Sequence, residues 1–159
     1  MLRGKPLRSD TSKLKNIINN LESIPFVHVG VLGKKAYRKE KGGSTNALIG
    51  MVHEFGSKTQ KMPARSFLIM PLHKKFNDAL HKSKAIEESF KKITSAKGLN
   101  DTLEKIGILA EQVIQSAFET GGFGQWAPNS PATIAMKGSS SPLIDTGQLR
   151  RSITSEVVE

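Results

Sequence analysis

Apolar residues recur along this chain with two spacings, and each spacing predicts one type of secondary structure. In residues 10–24 they recur every three or four positions, which predicts an amphipathic helix before Pro25. In residues 26–32 they alternate with polar or small residues, which predicts a strand. The apolar residues of that strand are Val27, Val29 and Val31.

A short helix is predicted over residues 46–55, because Thr45 or Asn46 can cap its start and Gly56 suits its end. The face expected to be buried consists of Leu48, Met51, Val52 and Phe55. An extended piece is expected over residues 65–70, since Pro71 disfavours helical geometry at the residue before it.

Residues 72–119 predict a long helical hairpin. Apolar residues in 72–93, Phe90 among them, are spaced alternately four and three positions apart, which is the period of a coiled coil. A second series of this kind runs through residues 103–117, after a break at Gly98. Two such helices joined by a short loop are expected to pack antiparallel, with Phe90 buried between them.

The last forty residues predict loops, a brief helix over residues 131–137, a helical turn from Thr146 and a final strand near 153–158. Together these elements predict one α+β domain over residues 1–159, with a small, mostly antiparallel sheet packed by helices. A basic arm at residues 1–9 and a mobile loop at residues 33–45 complete the organisation.

The chain is strongly basic, and its charge is unevenly distributed. It has 24 Lys and Arg against 14 Asp and Glu in 159 residues, a net charge of +10. Residues 1–97 contain 20 basic and 7 acidic residues, whereas residues 98–159 contain 4 and 7. Such a division is typical of nucleic-acid binding or of head-to-tail contact between copies of one chain, and composition does not choose between them.

The loop at residues 33–45 concentrates the positive charge around Tyr37. Its basic residues are Lys34, Lys35, Arg38, Lys39 and Lys41. They could neutralise phosphates beside a ring on which bases stack. We place contact with an acidic protein neighbour ahead of this, because a single aromatic residue is weak evidence for base stacking.

Several functional classes lack the residues that they require. There is no Cys, which excludes disulfides and thiolate sites, and no apolar run reaches the ~18 residues that span a membrane. No secretory signal is visible at the start. His53-Glu54 lacks the second His of a metalloprotease motif, since position 57 is Ser. We therefore expect no catalysis, no metal and no cofactor.

Two segments carry a resemblance to known proteins. Residues 46–72 contain His53-Glu54-Phe55-Gly56 and Pro63-Ala64-Arg65-Ser66-Phe67-Leu68, and residues 126–153 contain Trp126, Thr133, Lys137 and the run Leu143–Ile153. Together they resemble the tailed-bacteriophage morphogenesis families, which include tail-completion and neck proteins. In many of those relatives the second segment comes first, so the order in this chain is reversed, as in a circular permutation.

The resemblance implies a structural virion protein of the tail or neck, assembled in the host cytoplasm. Such a protein completes the tail, as a tail terminator, or joins it to the head-side connector. The implied partners are further copies in a hexameric ring, the tail tube protein, the head–tail connector proteins and, in passing, DNA in the channel, with no membrane. The alternatives are a head-proximal adaptor or stopper, and a basic nucleic-acid-binding protein.

The candidate interface residues are the five basic residues of the loop together with Arg65, Trp126, Asp145, Arg150 and Arg151. Trp126 is either an exposed interface anchor or a lid over the core. Arg65 is expected to bridge to a carboxylate, Glu54 or Asp145. Asp145 or Thr146 can cap the turn that directs Leu149 inward.

The reversed order of the two segments makes one topological prediction. The strands that a tight connection joins in the relatives would here be the first and the last of the chain. We therefore expect residues 26–32 to pair antiparallel with residues 153–158, so that the two ends of the chain close the sheet.

Overall fold

The computed structural model describes residue 15 and residues 24–39 and 43–158. The basic arm at residues 1–9, most of the helix predicted over residues 10–24 and Lys41 lie outside the described residues. The described part is a mixed α+β structure, which confirms the predicted fold class.

The two ends of the described chain pair with each other. Strand β1 (Phe26–Val31) lies antiparallel to β2 (Ile153–Val158), with Val31 opposite Ile153 and Phe26 opposite Val158. Residues directly opposite in such a pair point to the same face, so Val27 and Val29 share a face with Val157 and Ser155. The prediction that the first and last strands pair is confirmed.

The region between the strands is mostly helical. It consists of α1 (Gly33–Tyr37), α2 (Asn46–Phe55), α3 (Ile69–Pro71), a π-helical segment (Leu72–Phe76), α4 (Asn77–Lys82), α5 (Lys84–Lys91), α6 (Ala96–Glu119), α7 (Pro131–Lys137) and α8 (Gln148–Ser152). Within the described ranges, no helix is both long and apolar enough to span a membrane.

Helix α6 packs on the sheet and supplies much of the core. Its Gly107 allows this close approach, because a Cβ there would lie 2.6 Å from the Ser155 hydroxyl oxygen. Further along, Ile114 and Phe118 are buried against Phe67 and Trp126. The Phe118 ring meets Phe67 at a tilt and Trp126 edge-on, with centroids 5.5 and 5.6 Å apart. Segments distant in sequence are thereby held around one core.

The first arm of the predicted hairpin differs from expectation. Helical backbone begins at Ile69, before the predicted start of this arm. Pro71 is tolerated in the first turn because its missing N–H breaks no intrahelical hydrogen bond there. The arm is then interrupted at Ser83, which has extended geometry and caps α5. In α5, the helix that follows this interruption, Ile86 is buried but Phe90 is 52% exposed. The predicted burial of Phe90 is therefore wrong.

The basic segment over residues 33–45 is not wholly a loop. Residues Gly33–Tyr37 form α1, and Lys39 makes an isolated antiparallel bridge with Thr45. Asn46 holds this segment to the start of α2, because its side-chain amide donates to Lys35 O (2.8 Å) and its backbone N–H donates to Arg38 O (3.0 Å).

Candidate functional site

The first motif is organised around the buried carboxylate of Glu54. This carboxylate accepts hydrogen bonds from the backbone N–H groups of Phe67, Leu68 and Ile69 at 2.8, 2.9 and 3.1 Å. It also accepts from the Ser66 hydroxyl at 2.5 Å. A negative charge at the start of a helix satisfies N–H groups that lack intrahelical partners. Glu54 therefore ties the end of α2 to the start of α3.

A tight reversal brings these two parts of the motif together. Gly56 follows α2 with φ +76°, and a Cβ at this position would lie 2.8 Å from the backbone nitrogen of Ala64. Ser57 and Met62 exchange two backbone hydrogen bonds, at 2.9 and 2.8 Å, across the intervening turn. The glycine is thus required both by its backbone geometry and by the close approach of the returning chain.

Arg65 joins the first motif to the second. Its guanidinium Nε donates to Ala127 O (2.7 Å), and Nη2 donates to Pro128 O (2.9 Å). The expected bridge from Arg65 to Glu54 or Asp145 is therefore wrong in this structure. The Glu54 carboxylate is already occupied by the donors of the following segment, and the buried guanidinium is satisfied by backbone carbonyls.

Trp126 makes the second connection between the motifs. Its indole Nε1 donates to Ser66 O at 3.0 Å, and the side chain is buried in the core. The backbone of Gly122 lies directly against the indole, since a Cβ at Gly122 would overlap the ring. Trp126 is therefore a lid over the core of the subunit, the second of its two predicted roles, and is not exposed as an anchor.

The third contribution comes from the turn before α8. Thr146 Oγ1 accepts from Gln148 N at 3.3 Å, and Leu149 is buried, as the sequence predicts. The Gln148 side-chain amide donates to Asn46 Oδ1 at 2.8 Å, which links α8 to the start of α2. Arg150 is directed to α6, where it bonds Gln115 at 2.6 Å and Glu119 at 2.5 Å.

The two motifs together line an open cavity of about 760 Å³. Its charged or polar lining includes His53, Lys61, Arg65, Thr133, Lys137 and Asp145. His53 Nδ1 is buried and has no hydrogen-bond partner within the described residues. Burial, reinforced by the positive charges of Arg65 and Lys137, lowers the pKa of His53 to about 4. The cavity thus presents a neutral imidazole beside the cations Lys61, Arg65 and Lys137 and the carboxylate of Asp145.

Within the described residues, no group of three or more His, Asp or Glu is arranged to hold a metal ion. The cavity does contain His53 and Thr133, but a lowered pKa makes His53 a weak base, and no hydrogen bond joins these two side chains among those observed.

The structure separates the candidate interface residues into two groups. Arg65, Trp126 and Asp145 lie at the junction of the two motifs, with Arg150 and Arg151 on the adjacent α8. The other group, which consists of Lys34, Lys35, Arg38 and Lys39, is exposed on α1 and the residues after it. Because Asn46 bonds to this segment, these four cations lie at the N-terminal end of α2.

Helix α2 buries the face opposite to the predicted one. The inward residues are Asn46, Gly50 and Glu54, whereas Leu48, Met51 and Phe55 are exposed. A Cβ at Gly50 would lie 3.3 Å from the Phe67 ring and 3.6 Å from Leu149, so a glycine lets the helix lie close to the core. Sequence analysis missed Asn46 and Glu54 as buried hubs; their one signal is the four-residue spacing that they share with Gly50.

Comparison with known proteins identifies no relative of this chain. No protein-family model, curated protein or solved structure matches it.

Proposed function

We propose that this protein is a structural component of a tailed-phage virion, or of a particle derived from a prophage, that completes the tail or joins it to the head-side connector. The proposal extends the resemblance of the two motifs and assigns the protein no catalytic step. Its binding would depend on complementary surfaces between copies in a ring, proposed to be hexameric, and with the tail tube and connector proteins.

The observation that carries the proposal is the convergence of the two motifs, which lie some sixty residues apart in the chain. Arg65 of the first motif bonds to Ala127 and Pro128 beside the second, and Trp126 of the second bonds to Ser66 of the first. Segments that form one structural unit are expected to retain their sequences together. Their joint resemblance to one group of families is therefore more informative than either segment alone.

The pairing of β1 with β2 supports the same proposal independently. In many members of the families that the motifs resemble, the two segments occur in the opposite order, and a permuted chain needs its two ends to lie side by side. Here the first and last described strands are neighbours in one sheet. The reversed order is thus compatible with the architecture that the resemblance implies.

Electron microscopy of particles assembled without this protein tests the proposal. Deletion of its gene from the phage or prophage is expected to leave DNA-filled heads beside complete but unattached tails, and expression of the wild-type chain should restore joining. Emptied heads would instead support the alternative, an adaptor or stopper on the head side. Normal joined particles in the deletion strain would overturn the structural role altogether.

Nucleic-acid binding is kept as the second candidate because Tyr37 is 79% exposed beside Lys34, Lys35, Arg38 and Lys39. A DNA-binding role predicts retention of short duplex DNA that weakens steeply with added salt. The structural proposal predicts no retention at physiological salt. Comparison of the wild-type chain with the variant Lys34→Glu/Lys35→Glu separates specific retention from non-specific attraction to a basic protein.

A further inference from the structure

Large apolar side chains line the solvent side of helix α2. Leu48, Met51 and Phe55 lie three and four positions apart, so they form one row along the helix, and they are 47%, 55% and 68% exposed. Scattered exposed apolar residues are ordinary on a protein surface, whereas a contiguous row of three is typical of an interaction surface. This row is called the apolar stripe below.

Contacts on the opposite side of α2 hold the stripe in solvent. The Asn46 side-chain amide donates to Lys35 O, and the Glu54 carboxylate accepts from the backbone N–H of Phe67. A Cβ at Gly50 would lie 3.3 Å from the Phe67 ring, so α2 already lies as close to the core as a glycine permits. A rotation of α2 that buried the stripe would break these hydrogen bonds. The exposure of the stripe is therefore a fixed property of the folded subunit.

Positive charge lies at both ends of the stripe. Helix α1 packs on α2, and Asn46 fixes this segment at the N-terminal end of the stripe. At the C-terminal end, Phe55 lines a shallow depression together with Lys58 and Lys61, both of which are exposed. The exposed cations of α1 and the residues after it are Lys34, Lys35, Arg38 and Lys39.

No exposed carboxylate offsets these cations in the described part of residues 33–64. The acidic residue found there is Glu54, which is 5% exposed and bonded to the start of α3. Strand β1 and helix α8, which also pack on α2, contain no Asp or Glu. Asp145 lines the larger cavity, to which α2 contributes Ile49 and His53 but no residue of the stripe. The stripe is therefore an apolar centre between two groups of cations.

This combination defines the chemistry of a partner. Apolar side chains are needed to cover Leu48, Met51 and Phe55, and carboxylates are needed near the cations at both ends. Duplex DNA would supply phosphates for the cations but no apolar surface for the stripe. The stripe lies on the convex surface of a helix, which the side-chain ridges of a second helix can cover. Apolar residues three and four positions apart on that helix match the spacing of the stripe.

We propose that the apolar stripe of α2 is the docking site for an acidic amphipathic helix of a partner protein. The apolar face of the partner helix covers the stripe. Its Asp or Glu residues lie against the cations of residues 34–39 at one end and against Lys58 and Lys61 at the other. This assignment goes beyond the proposed function and does not depend on it, because it follows from the exposed side chains of α2 and its neighbours.

A synthetic peptide tests this docking site directly. The probe is a dye-labelled helix of about four turns, with Leu three and four positions apart on one face and Glu at the flanking positions. Two control peptides have Lys in place of each Glu, or Ser in place of each Leu. Fluorescence anisotropy measures the binding of each peptide to the full-length chain. The acidic probe is expected to bind saturably, and both control peptides should bind at least about tenfold more weakly.

Matched variants of the protein locate the bound probe. Phe55→Ser removes the most exposed side chain of the stripe, and Phe90→Ser makes the same change at a 52% exposed residue of α5. Phe55→Ser should weaken binding of the acidic probe by roughly thirtyfold, whereas Phe90→Ser should leave it unchanged. Because both positions are exposed, the thermal midpoints of both variants are expected to stay near that of the wild type.

A second pair of variants tests the cations. Lys34→Glu/Lys35→Glu reverses two charges beside the stripe, and Lys84→Glu/Lys97→Glu reverses two exposed charges in the first turns of α5 and α6, where acidic residues are tolerated. The two double variants have the same net charge. The first should weaken probe binding about tenfold at low salt, and added salt should reduce this difference. Equal weakening by both would show only general attraction to a basic chain and would contradict the proposed site.

The proposal is overturned if the acidic probe does not bind saturably at concentrations up to about 1 mM. It is also overturned if Phe55→Ser binds the probe as tightly as the wild type, because the helix would then dock elsewhere.

Three further results would assign the stripe to a different occupant and would equally overturn the proposal. A lower thermal midpoint in Phe55→Ser, together with no binding of the probe, would mean that the chain itself covers the stripe. Self-association of the wild type that Phe55→Ser abolishes, measured by sedimentation velocity, would indicate a second copy. Binding to vesicles of phosphatidylcholine and phosphatidylserine that Phe55→Ser abolishes, without binding of the probe, would indicate an anionic membrane.

Discussion

The Glu54 carboxylate accepts a hydrogen bond of 2.8 Å from the backbone N–H of Phe67, thirteen positions further along the chain. This contact brings a charged group from the end of one helix to the start of another, beside the most deeply buried ring of the core. It explains why Glu54 points inward although Leu48, Met51 and Phe55 on the same helix are exposed. The cap and the exposure of these three apolar side chains are therefore two consequences of one orientation of α2.

Removal of the charge on Glu54 is expected to destabilise the subunit. Glu54→Gln keeps the size of the side chain but turns an amide NH₂ group toward backbone donors that need an acceptor. We expect the free energy of unfolding to fall by about 2–3 kcal/mol, as measured by denaturant titration. Glu87→Gln on the exposed part of α5 is the matched control and should change it by less than about 0.5 kcal/mol. Equal effects of the two substitutions would contradict the capping role.

The closure of the sheet by the chain ends predicts an asymmetric sensitivity along β2. Ile153 is buried in the core, whereas Glu156 on the same strand is exposed. Ile153→Ala should lower the free energy of unfolding by about 2–4 kcal/mol through lost burial and a residual cavity. Glu156→Ala should have little effect on it. A chain shortened to residue 152 is expected not to fold, and an unchanged melting temperature after that deletion would contradict the importance of the pairing.

The break at Ser83 predicts opposite outcomes for two apolar residues of α5. Ile86 is buried and Phe90 is half exposed. Ile86→Ala should therefore lower the free energy of unfolding by about 2–4 kcal/mol, whereas Phe90→Ala should lower it by less than about 1 kcal/mol. Both changes in the free energy of unfolding are measured by chemical denaturation, monitored by the fluorescence of Trp126, which is the single Trp of the chain. A larger loss for Phe90→Ala would indicate one continuous helix through residue 83.

The buried imidazole of His53 predicts a specific pH dependence of stability. Its pKa is lowered from 6.5 to about 4, so between these values the unfolded chain binds a proton that the folded chain does not. The contribution to stability is complete above pH 6.5 and declines as the pH falls toward 4, by at most about 3 kcal/mol. His53→Gln removes this contribution, so the variant should lose less stability than the wild type in that interval.

His81→Gln on α4 is the matched control for that measurement, since His81 is exposed and bonds only locally, to Asn77 O. Thermal midpoints at pH 4, 5, 6 and 7 are compared between each variant and the wild type. Parallel curves for His53→Gln and the wild type would show that His53 is protonated equally easily in the folded and unfolded chains.

Sequence patterns predicted the elements whose signals are local. The alternation of Val27, Val29 and Val31 identified β1, and the reversed motif order identified β2 as its partner. Thr45 caps α2 as expected, with its hydroxyl accepting from Leu48 N. For β1 and the cap of α2, the side chains act on their own neighbours or on a face set by a two-residue period, so the sequence contains the needed information. The pairing of the strands was instead implied by the resemblance.

The sequence patterns gave wrong predictions where the local structure depends on residues that are distant in the chain. Residues 65–70 were predicted to be extended, yet Ile69 and Met70 already lie with Pro71 in the first turn of a helix whose free N–H groups Glu54 satisfies. The Arg65 guanidinium donates hydrogen bonds to the backbone carbonyls of Ala127 and Pro128 and not to a carboxylate. Neither partner is adjacent in sequence, and a residue type alone does not specify which of several acceptors lies within reach.

By itself, the sequence determined the mixed α+β class, the pairing of the chain ends, the uneven charge and the presence of an apolar face on α2. Only the tertiary structure decided the direction of that face. Periodicity identifies which residues share one side of a helix, but the buried side is chosen by packing and hydrogen bonds with distant segments. For α2 those partners are Phe67, Leu149 and Gln148, and they leave Leu48, Met51 and Phe55 in solvent.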